Sequence, residues 1–188
     1  MGIIDKEEKV IQQQPGVSPP KRTRVLGRGV LQEIREDMKR IELPSGVTPS
    51  PQHPGEKKWG RFTADQWRTF CTVNLPITLI RLWGPKDKDS REHRMLVNFM
   101  HLVLAVRLGT MRKITPHRIT QYNSHIHQYL SSLSELYPNN SITPYQHLSL
   151  HFGTHLQRFG PTHAWRCFPF ERYNYLMQQI STNNKFGK

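Results

Sequence analysis

Apolar side chains recur along this chain at helical spacing. From Gly29 onward they fall every three or four residues, with charged residues on the other side, and the pattern stops before Pro44. This period is typical of a helix with one face in a core. Its apolar members are Val30, Leu31, Ile34, Met38 and Ile41. Because no stretch alternates as a half-buried strand does, the pattern predicts an all-α fold.

Later helices are predicted from their start signals. Thr63, followed by Gln66, forms a capping box, and the helix it opens should bend or be interrupted at Pro76. The run Asp89-Ser90-Arg91-Glu92 opens the next helix, and Thr115 and Thr143 each precede a proline at the first helical position. The predicted bundle has about five to six helices, over residues 29–43, 63–83, 89–109, 115–136, 143–159 and 170–181.

The composition divides the chain into a tail and a domain. Residues 1–24 are rich in charge, Gln and Pro, and they end in the basic run Pro19-Pro20-Lys21-Arg22-Thr23-Arg24, which fits a nuclear address. Residues 44–60, with four prolines and three glycines, predict a loop. The apolar content of 36% is low for a wholly globular chain. We therefore expect a disordered basic tail over 1–24 and a helical domain over 25–188.

The charge balance points to a polyanionic partner. Lys and Arg number 27 against 14 Asp and Glu, which gives a net charge of +13. Nucleic acid is the first expectation and an anionic membrane surface the second, while a merely soluble basic protein stays open. The longest apolar stretch, over 99–108, is interrupted by His101 and Arg107 and is too short to span a bilayer. Having only Cys71 and Cys167, the chain fits no disulfide scaffold.

Three histidines share one face of a predicted helix. His147, His151 and His155 follow one another at intervals of four residues. Two histidines one turn apart can reach the same zinc ion, but such a site needs further ligands. The polar face of an amphipathic helix explains the same spacing, so both interpretations stay open.

The last carboxylate of the chain is isolated. After Glu92 the sequence contains only Glu135 and Glu171, and Glu171 lies among arginines and aromatic residues. It fits either a structural ion pair, for example with Arg172, or one ligand of a shared Mg²⁺ site. One carboxylate cannot perform two-metal chemistry alone. Gly-x-Ser-x-Gly, P-loop and His-Glu-x-x-His motifs do not occur.

Several motifs in the last third of the chain together resemble one family. The run His147-Leu148-Ser149-Leu150-His151 is followed by Phe159-Gly160-Pro161, Trp165 and Pro169-Phe170-Glu171-Arg172-Tyr173. This combination resembles the C-terminal part of CACTA-type DNA transposases, catalogued in plants as a transposase-associated domain of unknown function. The resemblance is strongest over 143–184 and extends more weakly back to about residue 29. The wider superfamily has an RNase H-like core with a helical insertion before its last catalytic acid.

The resemblance implies roles for particular residues. Glu171 would be the third acid of an Asp-Asp-Glu triad that holds Mg²⁺, and His147 with His151 would be half of a zinc site. The helices over 29–142 would be the insertion. The chain has no strand-rich segment to supply the two catalytic Asp residues, and it lacks the Cys pair of the zinc site.

A nuclear, transposase-derived fragment that is not catalytic alone is therefore expected. Its partners would be DNA, an intact transposase or a second copy. As part of a complete enzyme it would serve Mg²⁺-dependent phosphodiester hydrolysis and strand transfer. Two alternatives remain: a non-enzymatic basic helical module that binds DNA or a partner transposase, and a degenerate product without function.

Overall fold

A computed structural model describes residues 25–54, 62–138, 140–165 and 168–179, with the backbone alone for 168–172. All regular structure within these ranges is helical, which confirms the predicted all-α fold. The predicted disorder of residues 1–24 lies outside the described residues. The helices are α1 (Arg28–Arg40), α2 (Ala64–Thr69), α3 (Leu75–Trp83), α4 (Arg91–Gly109), α5 (Pro116–Leu136), α6 (Pro144–Ser149), α7 (Phe152–Phe159), α8 (Thr162–Trp165) and α9 (Phe168–Gln178).

Helix starts coincide with the capping residues that the sequence predicts. Thr63 and Thr143 each form a capping box with the glutamine three residues later. The side chains of Ser90 and Thr115 each accept a hydrogen bond from the backbone N–H three residues on. Each cap satisfies an N–H group that the first helical turn leaves without a partner. The beginnings of α2, α4, α5 and α6 are therefore encoded locally.

The predicted bend at Pro76 is a π-helical segment. Residues Phe70–Asn74 form this segment between α2 and α3, and the Leu75 N–H donates to the Phe70 carbonyl five residues earlier. Proline lacks an N–H and crowds the carbonyl four residues before it, so the wider turn just ahead of Pro76 accommodates both effects. The path from α2 to α3 thus stays helical rather than being broken.

Helices α4 and α5 form the central pair of the bundle. They run in opposite directions, as shown by the order of their side-chain contacts: Arg94 with Glu135, Asn98 with Ser132, and His101 with His125. One core cluster lies at the N-terminal end of α4 and contains Ile34, Phe70, Leu75, Leu79, Trp83, Met95, Leu96 and Leu136. A second lies at its C-terminal end and contains Ala105, Tyr122, Ile126, Leu130 and Leu156. The bundle therefore has two ends, joined by α4 and α5.

The single helix predicted over 143–159 is divided into α6 and α7. The Tyr122 hydroxyl donates to the Ser149 carbonyl at 2.8 Å. The N–H groups of Leu150 and His151 each donate to carbonyls only three residues earlier. The hydrogen bond from Tyr122 thus occupies the Ser149 carbonyl at the point where α6 and α7 divide. The backbone there follows a tighter turn than an α-helix. The short helix α8 is likewise absent from the sequence-based prediction, and α9 begins two residues earlier than predicted.

Candidate nucleic-acid interface

Acidic side chains cluster around α1, α2 and the start of α4, where they pair with cations. Arg81 Nη2 lies 2.7 Å from Glu33 Oε2 and 2.9 Å from Asp37 Oδ2. Burial raises the pKa of the Asp37 carboxyl, but hydrogen bonds from Arg81 and Thr78 outweigh it, so the pKa lies below its ordinary value. Further pairs are Lys39–Glu36, Arg68–Asp65 and Lys86–Glu92. The charge of these acids is therefore largely neutralised.

Three cations at and after the C-terminal end of α4 have no acid beside them in the sequence. The sequence holds no Asp or Glu between Glu92 and Glu135, and residues 93–188 contain ten Lys and Arg against two acids. Arg107 at the end of α4, and Arg112 and Lys113 in the loop that follows, are exposed. Within the described ranges, no carboxylate forms an ion pair with any of these three. Their positive charge is therefore available to an external anion.

The loop that carries these cations is held at several points. Arg118 Nη1 donates to the Lys113 carbonyl at 2.6 Å, and the Thr115 hydroxyl accepts from the Arg118 N–H at 3.3 Å. Ile114, between them, packs against the second core cluster. These contacts fix the backbone from which Arg112 and Lys113 project, so little ordering is needed when a ligand binds.

Helices α7 and α8 join the same end. The Thr162 hydroxyl donates to the Gly109 carbonyl at the end of α4. A Cβ atom at position 109 would lie 3.0 Å from the Phe152 ring, so glycine permits this close approach. His163 lines the same cleft as Thr110 and the Asp65–Arg68 pair of α2, and Arg158 at the end of α7 is exposed. Two segments that are distant in sequence, 107–113 and 158–163, thus form one basic end, which consists of Arg107, Arg112, Lys113, Arg158 and His163.

A histidine pair joins the middle of the central helices. His101 Nδ1 and His125 Nδ1 are 2.9 Å apart, so one imidazole donates and the other accepts. Burial, and to a lesser degree the proximity of His125, lowers the pKa of His101. The pair therefore favours a neutral His101 and links α4 to α5 through a hydrogen bond between the two rings. Sequence reasoning misses it because the two rings come from different helices.

The predicted zinc ligands lie close together, although the helix expected to carry them is divided. The ring centroids of His147 and His151 are 5.3 Å apart, with the rings nearly perpendicular. His155 does not join them, because its ring stacks on Phe159 instead. Among the described residues no group of three or more His, Cys, Asp or Glu is placed to hold a metal ion. Two imidazoles supply half of a tetrahedral zinc site, so these residues alone do not complete one.

The predicted catalytic acid lies on a helix. The backbone of Glu171 belongs to α9 (Phe168–Gln178), and its side chain lies outside the described part of the structure. The side chain of Arg172, its candidate ion-pair partner, lies outside that part as well. The assignment of Glu171 as a metal ligand therefore stays a prediction from resemblance.

No described helix is both long and apolar enough to cross a membrane. Comparisons of the chain with family models, with curated proteins and with solved structures find no match. The function accordingly has to be inferred from the geometry and charge of the basic end, together with the motifs that resemble CACTA-type transposases.

Proposed function

We propose that this chain is a helical module that binds DNA through its phosphates, with the basic end as the contact surface, and that it is not catalytic alone. The observation that carries this proposal is the difference between paired and unpaired cations. Cations around α1, α2 and the start of α4 form ion pairs with acids, whereas Arg107, Arg112 and Lys113 pair with no carboxylate among the described residues. Such a distribution directs a polyanion to the surface that carries the unpaired cations.

The elements that carry the cations of the basic end favour contacts with DNA phosphates over direct reading of the bases. Its cations project from a helix terminus, from a loop and from the short helices α7 and α8, rather than from one long helix that would fill a major groove. Phosphate contacts position a protein on DNA without reading its sequence. We therefore expect binding with little sequence preference and a strong dependence on salt.

The resemblance to CACTA-type transposases supports the same partner, since those enzymes act on DNA. On this view the chain derives from the insertion and C-terminal region of such an enzyme and acts in the nucleus. Mg²⁺ at Glu171 and Zn²⁺ at His147 and His151 would belong to an intact parent enzyme, which would supply the missing ligands. An intact transposase or a second copy of the chain remains a further partner under this proposal.

Neutralising the basic end is expected to weaken DNA binding on the order of tenfold at physiological salt, because three phosphates no longer face a cation. The variant combines Arg107→Gln, Arg112→Gln and Lys113→Gln. Fluorescence anisotropy of a labelled duplex, measured across a salt series, gives the affinity. The slope of log K against log salt should become shallower by up to about 0.9 for each phosphate that is no longer neutralised.

A triple variant of equal charge provides the control. Lys39→Gln, Lys86→Gln and Arg94→Gln remove the same number of cations from the end of the bundle at which α4 begins, where each is paired with an acid. The proposal requires this variant to bind DNA much more tightly than the first one. Equal weakening by both triples would mean that net charge alone attracts DNA, and an absence of wild-type binding would reject DNA as the partner.

The proposed lack of independent catalysis has its own test. Supercoiled plasmid is incubated with the protein and either Mg²⁺ or Mn²⁺, in parallel with Glu171→Gln. Since one carboxylate cannot hold the two metal ions of phosphoryl transfer, we expect no nicking that depends on Glu171. Nicking that the wild type performs and Glu171→Gln abolishes would show that the chain holds a complete active site.

A further inference from the structure

A continuous series of aromatic rings runs from the second core cluster to the surface of the basic end. Buried Tyr122 contacts Phe152, with ring centroids 5.5 Å apart, and Phe152 contacts Trp165 at 5.7 Å. Trp165 in turn contacts Phe159 at 6.3 Å. The ring of Phe159 is therefore connected to the core through packed aromatic rings, although 60% of the residue is exposed.

Phe159 is also held from the side and at its backbone. The His155 ring, one helical turn earlier, lies parallel to it, with centroids 5.9 Å apart and an angle of 14° between the planes. Gly160 follows with a φ of 75°, which favours glycine, and its N–H donates to the Leu156 carbonyl. Trp165 Nε1 donates to the Gly160 carbonyl at 3.0 Å. The exposed ring is thus fixed before any partner arrives.

Positive charge lies next to Phe159 in the chain. Arg158 precedes it and is exposed, and the exposed rings of His155 and His163 offer nitrogen atoms for hydrogen bonds. No acid occurs between Glu135 and Glu171 in the sequence. A rigid, exposed aromatic ring beside positive charge is the combination with which proteins bind unpaired nucleic-acid strands, because bases stack on the ring while cations contact the phosphates.

We propose that Phe159 is a stacking platform for an unpaired base, so that the basic end prefers single-stranded DNA to duplex. This inference rests on the proposed function and narrows its ligand. In a duplex the base faces are covered by neighbouring pairs, so Phe159 can reach them only where a strand is unpaired or distorted. The charge of Arg158 argues against an apolar protein segment as the occupant, since that segment would have to leave this cation unpaired.

Phe159→Ala is expected to weaken binding of single-stranded DNA by at least about fivefold, since base–aromatic stacking contributes roughly 1–3 kcal/mol per base. The probe is a labelled oligothymidine, which does not fold on itself, compared by anisotropy with a mixed-sequence duplex of equal length. Duplex affinity should change less than twofold. Phe159→Trp, which keeps a ring, should retain most of the single-strand affinity. Leu148→Ala, an exposed apolar residue on α6 outside the aromatic series, should change neither.

The outcomes separate this inference from the proposed function. Wild-type binding of both probes, unaffected by Phe159→Ala, would overturn the stacking platform while leaving phosphate binding intact. An equal loss for single strand and duplex would also overturn it, because the ring would not distinguish unpaired bases. Failure of the wild type to bind either probe would reject both proposals together. Thermal unfolding followed by circular dichroism should show that Phe159→Ala is as stable as the wild type, because the removed ring is mostly exposed.

Discussion

Leu156→Ala is expected to lower the free energy of unfolding by about 3 kcal/mol, the usual loss when a fully buried leucine is truncated. Leu156 is 2% exposed and packs in the second core cluster, where it holds α7 against α4 and α5. The loss includes both the transfer of apolar atoms and the cavity left behind. Urea denaturation followed by the helical circular dichroism signal measures it.

Leu148→Ala is the matched control, since it makes the same chemical change on the neighbouring helix α6, where 58% of the residue is exposed. Its effect should stay within about 0.5 kcal/mol, as is usual for surface positions. If both variants lost the same small amount, α7 would not be packed into a core as the structure has it. The platform formed by Phe159 and its neighbours would then lack its support.

Asn98→Asp is expected to cost on the order of 3 kcal/mol at neutral pH, because it places a charge where the fold supplies acceptors. Asn98 is 4% exposed, and its Nδ2 donates to the Tyr129 carbonyl at 2.8 Å and to Ser132 Oγ at 2.7 Å. A carboxylate oxygen at that place would face the carbonyl oxygen without a proton between them. The destabilisation would act on the contact between α4 and α5, because Asn98 lies on α4 and both of its acceptors lie on α5.

The pH dependence of Asn98→Asp follows from the same geometry. Burial raises the pKa of the introduced carboxyl in the folded state, so folding favours its protonated form. Relative to wild type, the variant should therefore lose stability as pH rises above the unfolded pKa of about 3.9, and recover it as pH falls. Asn98→Leu, which removes the hydrogen bonds without adding charge, should cost about 1 kcal/mol at any pH. If the loss of unfolding free energy in Asn98→Asp did not become smaller at low pH, the side chain at position 98 would have to be accessible to solvent.

The candidate site could be predicted only in part. Sequence reasoning identified the excess of Lys and Arg and the scarcity of acids after Glu92, which are properties of composition. It did not identify the aromatic series that ends at Phe159. The spacing of His155 and Phe159, one helical turn apart, was a signal for their stacking. Nothing in the spacing placed Trp165 or Tyr122 beside them, since these contacts cross from one helix to another. The roles predicted for Glu171, His147 and His151 by resemblance stay predictions.

The sequence by itself determined where most helices begin, which faces they bury and what net charge they carry. Capping residues such as Thr63 and Thr143 act within one helical turn, and apolar periodicity is a property of a single helix. Both can therefore be read from the sequence without knowledge of the fold. Only the tertiary structure decided that the Tyr122 hydroxyl donates to the Ser149 carbonyl where α6 and α7 divide. It also decided that the Thr162 hydroxyl donates to the carbonyl of Gly109 at the end of α4. Such contacts join residues far apart in the chain, and their energies depend on distances that no local pattern records. The acids and cations could be counted in the sequence, but which cations pair with acids and which stay unpaired was decided by the tertiary structure.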